Sequence, residues 1–172
     1  MKKTTVTYRL YKPSDKQEFI RCVEAMQDYF VEQDSQGWLR RTKNFGPRFV
    51  DEHLFAALKN LKGEIHVAMD GKRMVGMTMG SVETVKGFDL IHYVPGRYGW
   101  VYVLYVDPKY RDYKIGSTLL DRLERFFAKE KCDVIRLEAQ GNVERLEEFY
   151  GRRGYKPWLS SMIKRTRPRR KQ

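Results

Sequence analysis

The period of apolar and polar positions changes several times along this chain, and each change marks an element. Residues 5–11 alternate, with Val6, Tyr8 and Leu10 set against Thr7, Arg9 and Tyr11, which predicts a strand. Pro13-Ser14-Asp15 then supplies a stop and a helix N-cap, from Ser14 or Asp15. Phe19, Cys22, Val23, Met26, Tyr29 and Phe30 recur at helical spacing and predict a helix to Gln33. Residues 34–47 are polar, carry Gly37, Trp38 and Gly46, and read as a loop with room for a short helical piece. A second helix is expected over residues 48–61, with Phe49, His53, Leu54, Ala57 and Leu58 on its apolar face. His53 reads there as a half-buried histidine.

Two further strands, 65–69 and 74–82, flank Asp70-Gly71-Lys72-Arg73, a strong hairpin signal. Residues 83–96 are less regular, punctuated by Gly87, Pro95 and Gly96. A long strand over 98–106 leads into an amphipathic helix over 117–131 and a short strand over 133–138. Gly141 or Asn142 opens a helix over 143–152, closed by Gly154. Over 156–164, Trp158, Ser160 and Met162 alternate with Leu159, Ser161 and Ile163, which predicts a last strand. The order β α α β β β α β α β lacks strict βα alternation, so the expected class is α+β with a mixed central sheet. No repeat or linker divides the chain, so residues 1–163 read as one domain and 164–172 as a basic tail.

Composition narrows the partners. Of 172 residues 41% are hydrophobic and 13% aromatic, which suits a globular core and excludes disorder. There is no long apolar run for a membrane span and no apolar segment behind the N-terminal lysines for a signal peptide, so a cytoplasmic location is expected. Cys22 and Cys132 fit two buried thiols in a reducing compartment. With His53, His66 and His92 scattered, no metal site is expected. Met69, Met74, Met77 and Met79 read as core filling. The net charge of +12 is concentrated at the end, where Lys164, Arg165, Arg167, Arg169, Arg170 and Lys171 supply half the excess. Such a tail can touch nucleic acid or stay a solvated terminus; the lack of interleaved aromatics favours the latter.

Chemistry concentrates in 101–116, VYVLYVDPKYRDYKIG. A strand stops at Asp107-Pro108, a short polar turn follows, and a helix begins near Gly116. A loop entering a helix leaves backbone N–H groups without intrahelical partners, which makes an anion site from Asp112 to Ser117. Arg111 and Lys114 add charge there. Neither a Walker loop nor a dinucleotide glycine fingerprint is present.

Val106-Asp107-Pro108 followed by Arg111-Asp112-Tyr113-Lys114-Ile115-Gly116 resembles the acetyl-CoA loop of the GCN5-related N-acetyltransferase (GNAT) family. That loop reads (Arg/Gln)-x-x-Gly-x-(Gly/Ala) after a long strand ending in Val-x-Pro. Asn142 and Phe149-Tyr150-x-x-x-Gly154-Tyr155 resemble the family's Asn…Tyr-x-x-x-Gly-(Phe/Tyr) ending. The resemblance implies a mixed, mostly antiparallel sheet flanked by helices, and acetyl-CoA as co-substrate. It implies that the backbone of Leu104 and Val106 pairs with the pantetheine arm, a backbone N–H there polarising the thioester carbonyl. It also implies that Arg111, Asp112, Tyr113, Lys114, Ile115, Gly116 and Ser117 cradle the pyrophosphate, that Asn142 contacts the cofactor, and that Tyr150 assists the departing thiolate. The reaction implied is acetyl transfer to a primary amine of a small molecule or peptide, by direct attack in a ternary complex. Dimers are common in the family.

Two departures stand out. Lys114 takes the place of the loop's first Gly; if that position needs φ > 0 a lysine is strained, and if it is helical its ammonium adds a phosphate contact. The helical reading is the expectation. Asn142 lies eight residues before Tyr150 where seven is common, so Gly141 or Val143 could take its place. No carboxylate occupies Tyr98-Gly99-Trp100, where many members place a Glu, so Glu83 is the candidate base, acting through water. The segments expected to border the acceptor are 34–47, 83–98 and 158–161. There Asp34, Glu83 and Asp89 could attract an amine and Trp38, Phe88, Tyr93, Tyr98 and Trp158 could wall a pocket. A non-catalytic acyl-CoA sensor or adaptor, with a tail that touches nucleic acid, is the competing class.

Overall fold

The computed structural model describes residues 5–140, 143–164 and 166. Five strands form one sheet in sequence order, β1 (Thr7–Leu10), β2 (Gly63–Asp70), β3 (Arg73–Thr84), β4 (Arg97–Val106) and β5 (Val134–Leu137). Pairing is antiparallel from β1 to β4 and parallel between β4 and β5. The hairpin forms as its Asp-Gly signal predicts: Asp70 pairs with Arg73, and Gly71 turns the chain at φ 58°.

One face of the sheet carries α1 (Lys16–Gln33) and the helical run α2 (Phe45–Arg48), a π-helical stretch Phe49–Leu54, and α3 (Phe55–Lys59). Phe19, Cys22, Val23, Val50 and Leu54 are buried there against Met69, Met74, Met77, Met79, Val103 and Tyr105. The four methionines are core filling, as expected. The helical run starts earlier than the sequence suggests. Its π turn also carries more residues than an α turn, so Val50 and Leu54 face the core. His53, expected half-buried, is exposed beside the ring of Phe49.

The opposite face carries α4 (Ile115–Lys129), whose Leu119, Leu120, Leu123, Phe126 and Phe127 are buried on the sheet, and α5 (Val143–Gly151). The approach is close at Gly99, where a Cβ would stand 2.5 Å from the ring of Phe127. Arg9 ties β1 to the start of α1 through both carboxylate oxygens of Asp15, at 2.6 and 2.8 Å.

The strand expected over 156–164 does not form. Pro157 lacks an N–H, and Trp158, Leu159 and Met162 are 65%, 82% and 94% exposed. With neither face buried, alternation alone fixes no register. Gly141, Asn142 and the tail beyond Lys164, Thr166 excepted, lie outside the described residues. The sequence readings of Asn142 and of the tail fall there. Among the described residues no helix is long and apolar enough to cross a membrane, and none of their His, Cys, Asp and Glu group into a metal site.

Candidate active site

β4 changes character half-way along. Its register against β3 runs Met79 to Val103 and then Gly80 to Val101, so Tyr102 is an extra residue and the strand bulges. Its pairing with β5 spans Tyr98 to Val101 and goes no further. Beyond the bulge the two parallel strands part, and β4 keeps a partner on its β3 side alone. The Asp107 N–H donates to the Val75 carbonyl at 2.9 Å, and antiparallel polar groups alternate in direction. Tyr105 and Val103 therefore point theirs at β3. Leu104 and Val106 turn theirs to the open edge.

The chain leaves that edge through a turn built by Asp107. Its carboxylate accepts from the Lys109 N–H at 3.1 Å and from Arg73 at 2.9 Å. Burial works against the charge, but these donors hold the Asp107 carboxyl below the usual range. Pro108 starts a short 3-10 turn, Pro108–Tyr110. Two non-glycine residues then take left-handed backbone, Asp112 at φ 69° and Lys114 at φ 59°. Lys114 caps α4 in that conformation (ψ 14°). The helical expectation for Lys114 is thus wrong: the position does need φ > 0, which costs a lysine about 1 kcal/mol or more. The left-handed turns swing successive N–H groups into one concavity, the geometry of an anion nest. Among the described residues, the N–H groups of Asp112 through Ser117 donate to no protein acceptor. Arg111 lies over the Tyr29 ring at 5.1 Å, which pins it between the loop and α1.

Tyr150 reaches the same place from α5. Its ring packs, as Leu104 and Phe149 do, against the α4-side core and meets Phe149 and Tyr155 edge-on, at 5.0 and 5.6 Å. A Cβ at Gly116 would touch both Val106 and Phe149, at 3.5 and 3.8 Å, so strand edge, loop and α5 converge. Arg145 and Asp112, 3.3 Å apart, add a link from α5 to the loop. Behind Tyr150 the helix ends in a Schellman motif. Tyr155 N–H donates to the Tyr150 carbonyl at 3.1 Å, Gly154 N–H to that of Gly151 at 3.0 Å, and Gly154 sits at φ 86°. Glu124 of α4 holds this end through Arg153, at 2.8 Å, and the Tyr155 hydroxyl, at 2.9 Å. Burial pushes the Tyr150 phenol up to about 12, and among the described residues its hydroxyl makes no hydrogen bond.

The model of the acetyltransferase (GNAT) family matches residues 19–155. The chain belongs to that family. It is an acyltransferase with the family's fold, a five-stranded, mostly antiparallel sheet flanked by helices. A transcriptional regulator from Bacillus halodurans C-125 is 18% identical, with a TM-score of 0.67 over 94% of this chain and 99% of that one. Glucosamine-6-phosphate N-acetyltransferase from Arabidopsis thaliana is 17% identical, with a TM-score of 0.66 over 95% and 99%. A Clostridium acetobutylicum structure, described as a predicted acetyltransferase with acetyl-CoA, is 16% identical, with a TM-score of 0.67 over 92% and 96%. At these identities the likeness is one of fold. No curated protein sequence matches the chain.

Beside the other half of β4 stands Glu83, on β3 opposite Tyr98. Its carboxylate accepts from the hydroxyls of Tyr98 and Tyr102, at 2.8 and 3.0 Å. Burial first, and then the hydrogen bond to Glu83, push the Tyr98 phenol up to about 12. The sequence candidates for the acceptor border divide here. Tyr93, Tyr98 and Trp158 gather on one sheet face, while Trp38 and Phe88 are exposed. Asp34 accepts from the N–H groups of Gln36 and Leu39, so its carboxylate shapes its own loop. Sequence reasoning missed two residues of this half: Trp100 and Arg136. Their place follows from the parallel register Trp100 to Arg136, which no local pattern announces.

Proposed function

We propose that this family member is an acetyl-CoA-dependent N-acetyltransferase that moves the acetyl group directly to a primary amine in a ternary complex. The observation that carries the reading is the meeting of an unpaired strand edge, Leu104–Val106, with the uncommitted N–H groups from Asp112 to Ser117. An extended amide arm can pair with the edge, as an added strand would. A pyrophosphate suits the nest at its end, with Arg111 and Lys114 supplying positive charge.

When bound, acetyl-CoA would supply the thioester that is attacked. One edge N–H, that of Leu104 or of Val106, polarises its carbonyl and holds the oxyanion. The amine nitrogen forms its bond to the carbonyl carbon, the nitrogen's proton leaves towards Glu83 through water, and the carbon–sulfur bond breaks. The thiolate departs beside Tyr150. A phenol held near 12 is a weaker acid than an ordinary thiol near 8.5, so Tyr150 acts as a hydrogen-bond donor and not as a full proton source. Its high value keeps that donor protonated across the working pH range.

Release of free CoA thiol from acetyl-CoA, measured with a panel of amines, tests the reading. Turnover with at least one amine, and none with the matching alcohol, is expected. Tight acetyl-CoA binding without turnover on any amine would favour a sensor over an enzyme.

A further inference from the structure

The open half of the sheet holds a group that the acetyl-transfer scheme does not use. Arg136, on β5, lies among four aromatic rings: its guanidinium carbon is 4.7 Å from the ring of Trp158, 5.1 Å from Trp100, 5.5 Å from Tyr98 and 5.8 Å from Tyr93. The rings come from β4, from the segment before it and from the segment after α5, so the cluster is assembled by the fold. Arg136 is half-buried, and among the described residues its guanidinium forms no ion pair and no hydrogen bond. Aromatic faces stabilise the cation and hold its plane, but they accept none of its in-plane N–H donors well. A guanidinium so held is preset for a planar or tetrahedral anion at its edge.

Position says what that anion belongs to. Arg136 is opposite Trp100, on the face that carries Tyr98 and Glu83, and Tyr102 at the bulge reaches Glu83 from the other side. The bulge is where β4 and β5 part, and the thioester is proposed to lie beyond it, at the N–H of Leu104 or Val106. Leu104, the nearer of the two, and Trp100 stand opposite Thr78 and Ser81 of β3, three strand steps apart, on the order of 10 Å. Resting on the acetyl-transfer reading, we infer that the acceptor is an amine carrying a carboxylate or phosphate roughly 10 Å from its nitrogen. Arg136 binds that anion, and the rings of Tyr98, Trp100, Tyr93 and Trp158 hold Arg136 in place. Glu83 faces the amine end of the same molecule. Arg136 is a specificity residue, because it touches the far end of the acceptor and none of the reacting atoms.

The test compares full-length wild type with Arg136→Gln and Arg136→Lys, each checked for an unchanged melting temperature. The acceptors are ω-amino carboxylates of increasing length, their amides, an amino-sugar phosphate and its dephosphorylated form, and a linear polyamine. For wild type, kcat/KM should favour the anionic member of each pair and peak at a middle chain length. Arg136→Gln should raise KM for the anionic acceptors by about 10- to 100-fold. It should leave KM for the amides and for acetyl-CoA where they were. Arg136→Lys should recover part of the loss. Equal KM values for acid and amide in wild type, preference for the polyamine, or an equal loss for acid and amide in Arg136→Gln would each overturn the inference. Calorimetric binding of CoA and of the ω-amino carboxylates, run without turnover, separates the two readings. Loss of CoA binding alone strikes the acetyl-transfer reading, and carboxylate binding that is the same in wild type and Arg136→Gln strikes this one.

Discussion

The two halves of β4 offer different kinds of groups for recognition. Beyond the bulge, towards Val106, the groups on offer are main-chain: a strand edge freed by the parting of β5, and a nest of N–H groups at the start of α4. Before the bulge, towards Tyr98, they are side chains: Glu83 under two phenols and Arg136 among four rings. Backbone recognition depends on conformation and tolerates many side chains, so the loop can carry Lys114 where the family motif has Gly. Side-chain recognition depends on identity. One half is therefore suited to a shared donor and the other to a particular acceptor.

Removing the Tyr150 hydroxyl should separate chemistry from binding. Tyr150→Phe is expected to lower kcat by roughly 10- to 100-fold with KM for acetyl-CoA nearly unchanged, read from initial rates. A matched rise in KM would mean that the phenol binds the donor and does not serve the leaving group. Gly99→Ala attacks the acceptor half from behind, by pushing a Cβ into the ring of Phe127 at 2.5 Å. Urea unfolding should show a loss of about 1–3 kcal/mol. Unchanged stability would mean that α4 stands further off.

The phenols of Tyr98 and Tyr150 give a pH signature that spans both halves. Burial leads in raising each to about 12, above the ordinary value near 10. Between those values the folded chain binds more protons than the unfolded one, so their contribution to stability is full below pH ~10 and is lost as pH rises towards 12. Thermal melts across that window should show the fall, and Tyr150→Phe should make it shallower. The smallest effect belongs to the loop. Lys114→Gly relieves left-handed strain but adds chain entropy to the unfolded state, for a net gain of about 0.5 kcal/mol. A net loss would say that the lysine is not left-handed there.

The contrast between the halves also decides what could be read in the sequence. The loop, its strand and Tyr150 are local in the chain, and their spacing and turn residues announce them. Arg136 and Trp100 meet through a parallel register between strands separated by a whole helix, and no spacing rule reports that. At Lys114 the residue type suggests a helical conformation, whereas the turn into α4 imposes a left-handed one. The alternation over 156–164 is real, but a strand also needs a partner edge and a face to bury, and that segment has neither. His53 is exposed for a smaller reason: a π turn shifts which residues of a helix face inward.

Amide chemical shifts of the isotope-labelled protein, followed by NMR as CoA is added, test the donor half most directly. The account predicts that the largest changes fall on the N–H groups of Asp112 through Ser117 and of Leu104 and Val106, with the amides of β1 and β2 still. Saturable CoA binding that leaves those amides unmoved and shifts others would contradict it.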